Sequence, residues 1–551
     1  MPTELDTLVA AGKRALEAGD WSAARGCFRA ALDLRETPEA LLGFGDALWW
    51  LGQTREAITH RERAFAAFLQ QADPVQAAIA ALWLCVDYRQ QIGNTAASAG
   101  WVARLARLVE DFELDPMRGW LLVIKASDSD DPVAGEAWAR QAHEFARTAG
   151  DLDLEFCAAS QVGALLVRQG RLSEGVTWLD ESMAGSLSGE GAAPDTVVWT
   201  SCNMIVACTL GADFERAVQW VRAADTFTRR YGCPFLFTEC RTFYGAVLVA
   251  MGDWRQAETE LHTAIELSHD AFPVQHRQAL ATLAELRVAQ GRVEEAERLV
   301  AGLEDHEAAT PVWARIHLLR GAPTLAAATV RRRLALIGEE RLESAVLLEL
   351  LGEAEIAQDQ HQSAAERGRK LVDLGETCRV AAARGQRLQG RALAAGGHVA
   401  QAGAHLDAAL SAFVRLEMPL ESARTRLLCA RVLAEQEPEV AVAQMQLALT
   451  AFEDLGAGRD ADDAAAFLRQ LGVKAARVGP RGVEVLTKRE REVLSLLAEG
   501  LSNPEIAARL YLSRKTVEHH VAHVLAKLGV RNRAEAAAEA VRRLGSESAA
   551  K

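Results

Sequence analysis

Two stretches of the chain align without a gap at an offset of 33 residues: GKRALEAGDWSAARGCFRAAL (12–32) and GDALWWLGQTREAITHRERAF (45–65). Gly12, Gly19, Ala24 and Ala31 fall on Gly45, Gly52, Ala57 and Ala64. A fixed period of this length marks a chain built from stacked units, because one such unit cannot bury its apolar face alone. The clearest further copy, GAVLVAMGDWRQAETELHTAIEL, keeps Gly245, Gly252, Asp253, Trp254, Ala257 and Ala264 in register. Weaker copies run through Gly163 and Gly170, through Asp213, Ala217 and Ala224, through Gly291 and Ala296, and through Gly390, Gly397, Ala402 and Ala409. Their spacing drifts, but joint matches at four or more offsets exceed what an Ala-rich chain supplies by chance.

The register resembles the tetratricopeptide repeat, in which small residues at fixed offsets let two antiparallel helices approach and a Gly-Asp-aromatic turn joins them. The resemblance implies an all-α fold with a tetratricopeptide-like α-solenoid over residues 1–472, made of roughly ten to twelve helix pairs at ~40 residues each. Such stacks present a concave groove. The expected occupant is a protein, peptide or small-molecule effector, and no chemistry is expected there. Turn formers cluster at SDSDDPVAGE (127–136) and GSLSGEGAAPD (185–195), which read as loops.

Enzymatic signatures are missing where they would be expected. No GxxxxGK[ST] occurs, which speaks against a nucleotide-hydrolysing P-loop. Gly185-Ser186-Leu187-Ser188-Gly189 has Leu where a nucleophile elbow needs Ser, and it reads as loop. His262, His269 and His276 recur every seven residues, roughly 10 Å apart along a helix and too far to share one ion; Pro273 also interrupts that helix. The nine Cys show no CxxC pair or zinc-like spacing and read as reduced, mostly buried thiols. No cofactor or metal is expected. The N-terminus has acids in its first six residues and no apolar core of a signal peptide. The longest uncharged run, Thr196 to Ala212, is 17 residues and contains Thr, Ser, Cys and Asn, short of a membrane span. A soluble cytoplasmic protein without membrane partners is the expectation.

Charge separates the two ends of the chain. Residues 481–551 hold 13 Lys plus Arg against 9 acids, whereas the preceding 480 hold 48 against 66. A basic tail on an acidic body directs a polyanion to the tail. Between them GVKAARVGPRGVEV loses helical periodicity, giving a linker at 473–485 and a last domain at 486–551. In that domain capping residues open each of four short helices: Thr487 with Glu490, Ser502 with Glu505 and Pro504, Ser513 with Thr516, and Asn532 with Glu535. Gly500, Gly529 and Gly545 stand where helices stop. The spacing predicts helices over 488–499, 503–510, 514–528 and 533–544. The joint Tyr511-Leu512-Ser513 is too short for anything but a steep crossing, the helix-turn-helix unit.

On the third of these helices Val517, Val521, Val524, Leu525 and Leu528 follow i, i+4, i+7, i+8 and i+11 and form the buried stripe. Lys515, Glu518, His519 and Ala522 lie opposite, where donors and acceptors beside a small residue suit the major groove. Thr516, His520, His523 and Lys527 run along a flank within reach of phosphates.

The stretch from Leu486 to Ala536 resembles the LuxR-type helix-turn-helix of bacterial transcription factors. The family's pattern is present at Leu486, Thr487, Arg489, Glu490, Glu492, Val493, Leu494, Gly500, Ser502, Asn503, Glu505, Ile506, Ala507, Leu510, Ser513, Thr516, Val517, His520, Lys527, Leu528 and Arg533. The resemblance implies a domain that binds double-stranded DNA, reads bases with its third helix and forms a homodimer through its fourth. Its base-reading positions correspond to Glu518, His519 and Ala522, and members often carry Lys at the first and last of these. Lys515 joins them as a base-contact candidate. Ser502, Asn503, Arg514, Thr516, His520, His523, Lys527 and Arg531 are candidates for phosphates. Four alternatives stay open: Lys515 on a phosphate, Glu518 as a solvated face residue, His519 as a surface ring, and His520 packed at the helix edge. Repeats plus this tail also resemble the C-terminal part of large ATP-binding LuxR-family regulators, whose nucleotide-binding module has no counterpart here. The sequence also lacks the strand–helix alternation of a phosphorelay receiver. A non-catalytic repeat scaffold using the last domain for protein docking is the alternative to a transcriptional regulator.

Overall fold

The computed structural model describes residues 3–375, 378–473, 488–510, 512–528, 530, 532–533, 535–537 and 540, without the side chains of 488, 519, 526 and 527. Among the described residues the chain is all-α and has no strand. It divides into two compact units, Met1–Pro419 and Leu420–Lys551.

The first unit contains twenty-two α-helices among its described residues, from Glu4–Glu17 to Val399–Arg415. The repeated Gly-Asp-Trp turn shows how they are set. Gly19 and Gly252 take φ of 73° and 87°, a left-handed turn that side chains resist. Asp20 and Asp253 then accept the N–H of Ala23 (3.0 Å) and Gln256 (3.1 Å), capping the next helix. Trp21 and Trp254 open those helices and are buried. Small residues set the approach within a pair. A Cβ added to Gly163 would meet the Gly175 carbonyl at 2.7 Å, and one on Gly175 the Gly163 carbonyl at 2.6 Å, so the helices Leu152–Arg168 and Leu172–Ser188 touch backbone to backbone.

First members of successive pairs, such as Leu152–Arg168, Pro194–Gly211, Pro234–Met251 and Pro273–Ala289, pack side by side. Their burial runs around most of the helix, as at Phe156 to Gly163. Second members bury one stripe, as Trp21, Ala24, Phe28 and Ala31 do. This is the solenoid anticipated from the repeats, but it is wound tightly. Trp21 Nε1 donates to the Tyr231 carbonyl, Gln275 Nε2 donates to the Gln90 carbonyl at 3.2 Å, and Trp49 packs beside Phe235. Further along, Arg168 pairs with Glu343 at 2.5 Å, and Leu172, Leu210 and Phe214 pack on the core that holds Phe413 and Met418. Successive turns of the superhelix therefore lie against one another.

Buried charge accompanies the winding. Arg61 bridges Asp87 (2.6 Å) and Asp46 (2.9 Å), with Asp87 wholly buried. Asp195, partly buried nearby, has its carboxyl pushed up to about 7 by burial and then by Asp46, against the opposing pull of Arg61. All nine cysteines are free thiols, seven of them buried.

Both stretches read as long loops are corrected. Helices Asp115–Ser127 and Pro132–Ala149 leave only residues 128–131 between them, with Asp131 capping the second. The helix Leu172–Ser188 runs through Gly185 to Ser188, leaving 189–193. The small residues there are helical because they are needed in the core. A Cβ on Gly185 would strike the Phe156 ring at 2.3 Å, and the Ser186 and Thr200 hydroxyls bond at 2.9 Å. Pro273 does start a new helix, and the turn before it corrects the spacing expected of an unbroken helix: the rings of His269 and His276 meet edge to face at 5.1 Å.

From Leu420 the second unit holds the rest of the helix Pro419–Leu433 and the helices Pro438–Leu455 and Gly458–Gln470, where Arg424 pairs with Asp460 at 3.0 Å and Arg431 with Asp463 at 2.8 Å. The rest of the unit is the candidate site.

Candidate nucleic-acid interface

The last module is built from helices Lys488–Ala498, Asn503–Leu510 and Arg514–Leu528, close to the anticipated spans. Residues 533, 535–537 and 540 are helical as well. The first helix stops at Gly500, φ 83°, with Leu501 N–H bonded to the Leu496 carbonyl at 3.1 Å and Gly500 N–H to Leu497 at 3.0 Å. That pattern is the Schellman closure. At the second helix the Ser502 hydroxyl and N–H both donate to Glu505 Oε2, at 2.5 and 2.7 Å. Those bonds, the hydroxyl's first, hold the Glu505 carboxyl below its usual range. The Thr516 N–H donates to Ser513 Oγ at 3.1 Å, and the Glu535 N–H to Asn532 Oδ1 at 2.9 Å. Two anticipated side-chain caps are thus in place, and Ser502 with Glu505 forms the return half of a capping box. Thr487, Tyr511, Gly529 and Gly545 lie outside the described residues.

Val517, Val521 and Val524 enter one core with Val493, Leu497 and Ile506, and Leu525 and Leu528 pack at its edge. Opposite them Lys515, Glu518 and Ala522 are exposed. Thr516 and His520 are half-buried along the flank. Arg514, 72% exposed, donates from Nε to Glu518 Oε1 at 3.0 Å. His523, also exposed, places Nδ1 3.8 Å from Glu490 Oε1, so its ring leans toward the first helix. Asn503 opens the second helix with its Oδ1 buried and unpartnered among protein groups. The side chains of His519 and Lys527, and all of Arg531, lie outside the described residues.

Three further residues tie the helices of the module together. Arg489 donates to the Leu510 carbonyl at 2.5 Å and to Glu492 at 2.6 Å, tying the first helix to the turn. Glu490 is buried beneath His523. Arg533 donates to the Leu501 carbonyl. In the sequence Arg489 and Arg533 stand only as pattern positions, and Glu490 as the capping partner of Thr487. Their contacts to Leu510, His523 and Leu501 lie well outside one helical turn.

A short second helix ending at Leu510 and a third starting at Arg514, with one buried and one exposed polar face, define a helix-turn-helix module. Residues 484–540 match the model of the bacterial regulatory proteins of the luxR family. The spore germination protein GerE of Bacillus subtilis is 47% identical over 58 residues, which are 10% of this chain and 78% of GerE. Through this domain the chain belongs to the luxR family. The DNA-binding transcriptional activator DevR/DosR of Mycobacterium tuberculosis is 45% identical over 96 residues, 17% of this chain and 43% of that protein. A putative HTH-type transcriptional regulator of Mycobacterium bovis, Mb0914c, is 45% identical over 93 residues, 17% of this chain and 10% of its own length. The chain thus spans less than half of these two relatives. Among the described residues no helix is long and apolar enough to cross a membrane.

Proposed function

We propose that the protein is a cytoplasmic transcriptional regulator whose repeat region, residues 1–472, receives a protein, peptide or small-molecule signal and whose domain at 486–551 binds operator DNA as a homodimer. The observation that carries the reading is the third helix. Its buried stripe fixes it to the core while Lys515, Glu518 and Ala522 stand clear on the opposite face of a luxR-family module. In this reading Lys515, Glu518, His519 and Ala522 meet base edges. Ser502, Asn503, Arg514, Thr516, His520, His523, Lys527 and Arg531 lie toward phosphates, where helix N-termini and cations favour anions. A carboxylate at 518 is best tolerated where it accepts from a cytosine N4 amino group.

The test is binding to duplex DNA as a function of salt, with the full chain and with residues 473–551. Roughly three to four phosphates neutralised per protomer give a log-log slope of about −3. Deleting residues 1–472 should keep binding and abolish regulation, and the loss of the acidic body should tighten binding at low salt. A flat salt response refutes the DNA reading. A folded module that shifts no duplex favours protein docking instead.

A further inference from the structure

Arg514 and Glu518 are separated by one turn at the start of the third helix and pair at 3.0 Å, with side chains 72% and 47% exposed. DNA offers each a competing partner. A phosphate suits Arg514, which follows the Ser513 cap at the helix N-terminus. A cytosine N4 amino group suits Glu518. Only Oε1 takes the Arg514 Nε–H, yet that bond holds the whole carboxylate within a turn of Arg514. Engaged with Arg514 it lies back along the helix, whereas a base contact requires it to extend off the exposed face. While the pair is closed, the carboxylate also offsets the charge that Arg514 would bring to a phosphate.

We infer that reading cytosine opens this pair, so that one base contact releases Arg514 to the DNA backbone. This rests on the DNA-binding reading above. On a duplex without that cytosine the pair stays closed and one phosphate contact per protomer is lost. The pair is weak enough to exchange. It is exposed, and Arg preceding Glu by four residues is the less favourable order on a helix. Base identity thereby sets the number of counterions released, which separate base and phosphate contacts would not do.

The consequence is measurable. Cognate binding should have a salt slope steeper by about 0.9 per protomer than binding to a single-base mismatch. Raising salt fourfold should then reduce the cognate preference by roughly 3-fold per protomer. The experiment uses the full chain and duplexes it selects from a random library. Each duplex is compared with its counterpart in which the cytosine pair becomes T·A, by fluorescence anisotropy from about 50 to 200 mM KCl. Glu518→Gln keeps an acceptor oxygen but loses the charge, so cytosine preference should persist while the two slopes become equal. Arg514→Gln should equalise them at the shallower value. Equal slopes in the unaltered protein, or a difference that survives Glu518→Gln, overturn the exchange while leaving base reading intact. A selected motif that Glu518→Ala does not relax removes the base contact itself, and the exchange with it.

Discussion

Replacing Gly163 by Ala tests whether the backbone contact between paired helices is what the small residues of the repeat are for. The new Cβ would lie 2.7 Å from the Gly175 carbonyl, 2.7 Å from Leu179 Cγ and 3.1 Å from the Leu179 nitrogen. Ordinary contact begins near 3.4 Å, so the helices Leu152–Arg168 and Leu172–Ser188 would have to part by about 0.7 Å, and two of the three obstacles are backbone. Overpacking of this kind costs about 1–3 kcal/mol. Ala is also the better helix former, by about 1 kcal/mol, which blurs the measurement. Gly26→Ala removes the ambiguity. Gly26 is an exposed interior position of the helix Trp21–Leu34 with nothing within 4 Å of an added Cβ, so only the propensity gain remains. The difference between the variants isolates the clash at about 1–3 kcal/mol, since the effect of each change on the unfolded chain is alike. Urea unfolding followed by circular dichroism should show the midpoint rising for Gly26→Ala and falling below it for Gly163→Ala. Equal gains in the two would refute the backbone contact.

Asp195→Asn should stabilise the first unit at pH 8 and leave it unchanged near pH 4. The aspartate holds its proton up to about 7 in the fold against an ordinary 3.8, so its contribution is intact at low pH and lost as pH rises through 7. The gain at pH 8 should be about 1–3 kcal/mol, below the roughly 4 of a fully desolvated carboxyl, because Asp195 keeps part of its surface in water; melting temperatures across pH check it, and a pH-independent difference contradicts it. Arg61→Met leaves Asp46 and Asp87 without their shared cation and should cost about 3–5 kcal/mol at neutral pH, less in acid, by urea titration. A loss that does not shrink on acidification counts against the buried triad.

Much of this architecture was legible in the sequence because its signals act within four residues. Asp20 and Asp253 cap the helices they precede, Ser502 and Glu505 pair at the second helix of the C-terminal module, and Val517, Val521 and Val524 fall on its core. The family, too, follows from side chains in one short stretch. Tertiary structure decided what lies farther apart. That Trp21 reaches Tyr231 depends on how each pair is rotated on the one before, while Arg61 gathering Asp46 and Asp87, and Gly185 lying in a helix against Phe156, depend on how neighbouring helices pack. Small rotations accumulate over some two hundred residues before one turn of the superhelix meets the next, and no local pattern encodes their sum. At the candidate interface the sequence placed Arg514 and Glu518 on one helix with separate roles. Their spacing of four residues is local, and the structure joins them in one ion pair at 3.0 Å.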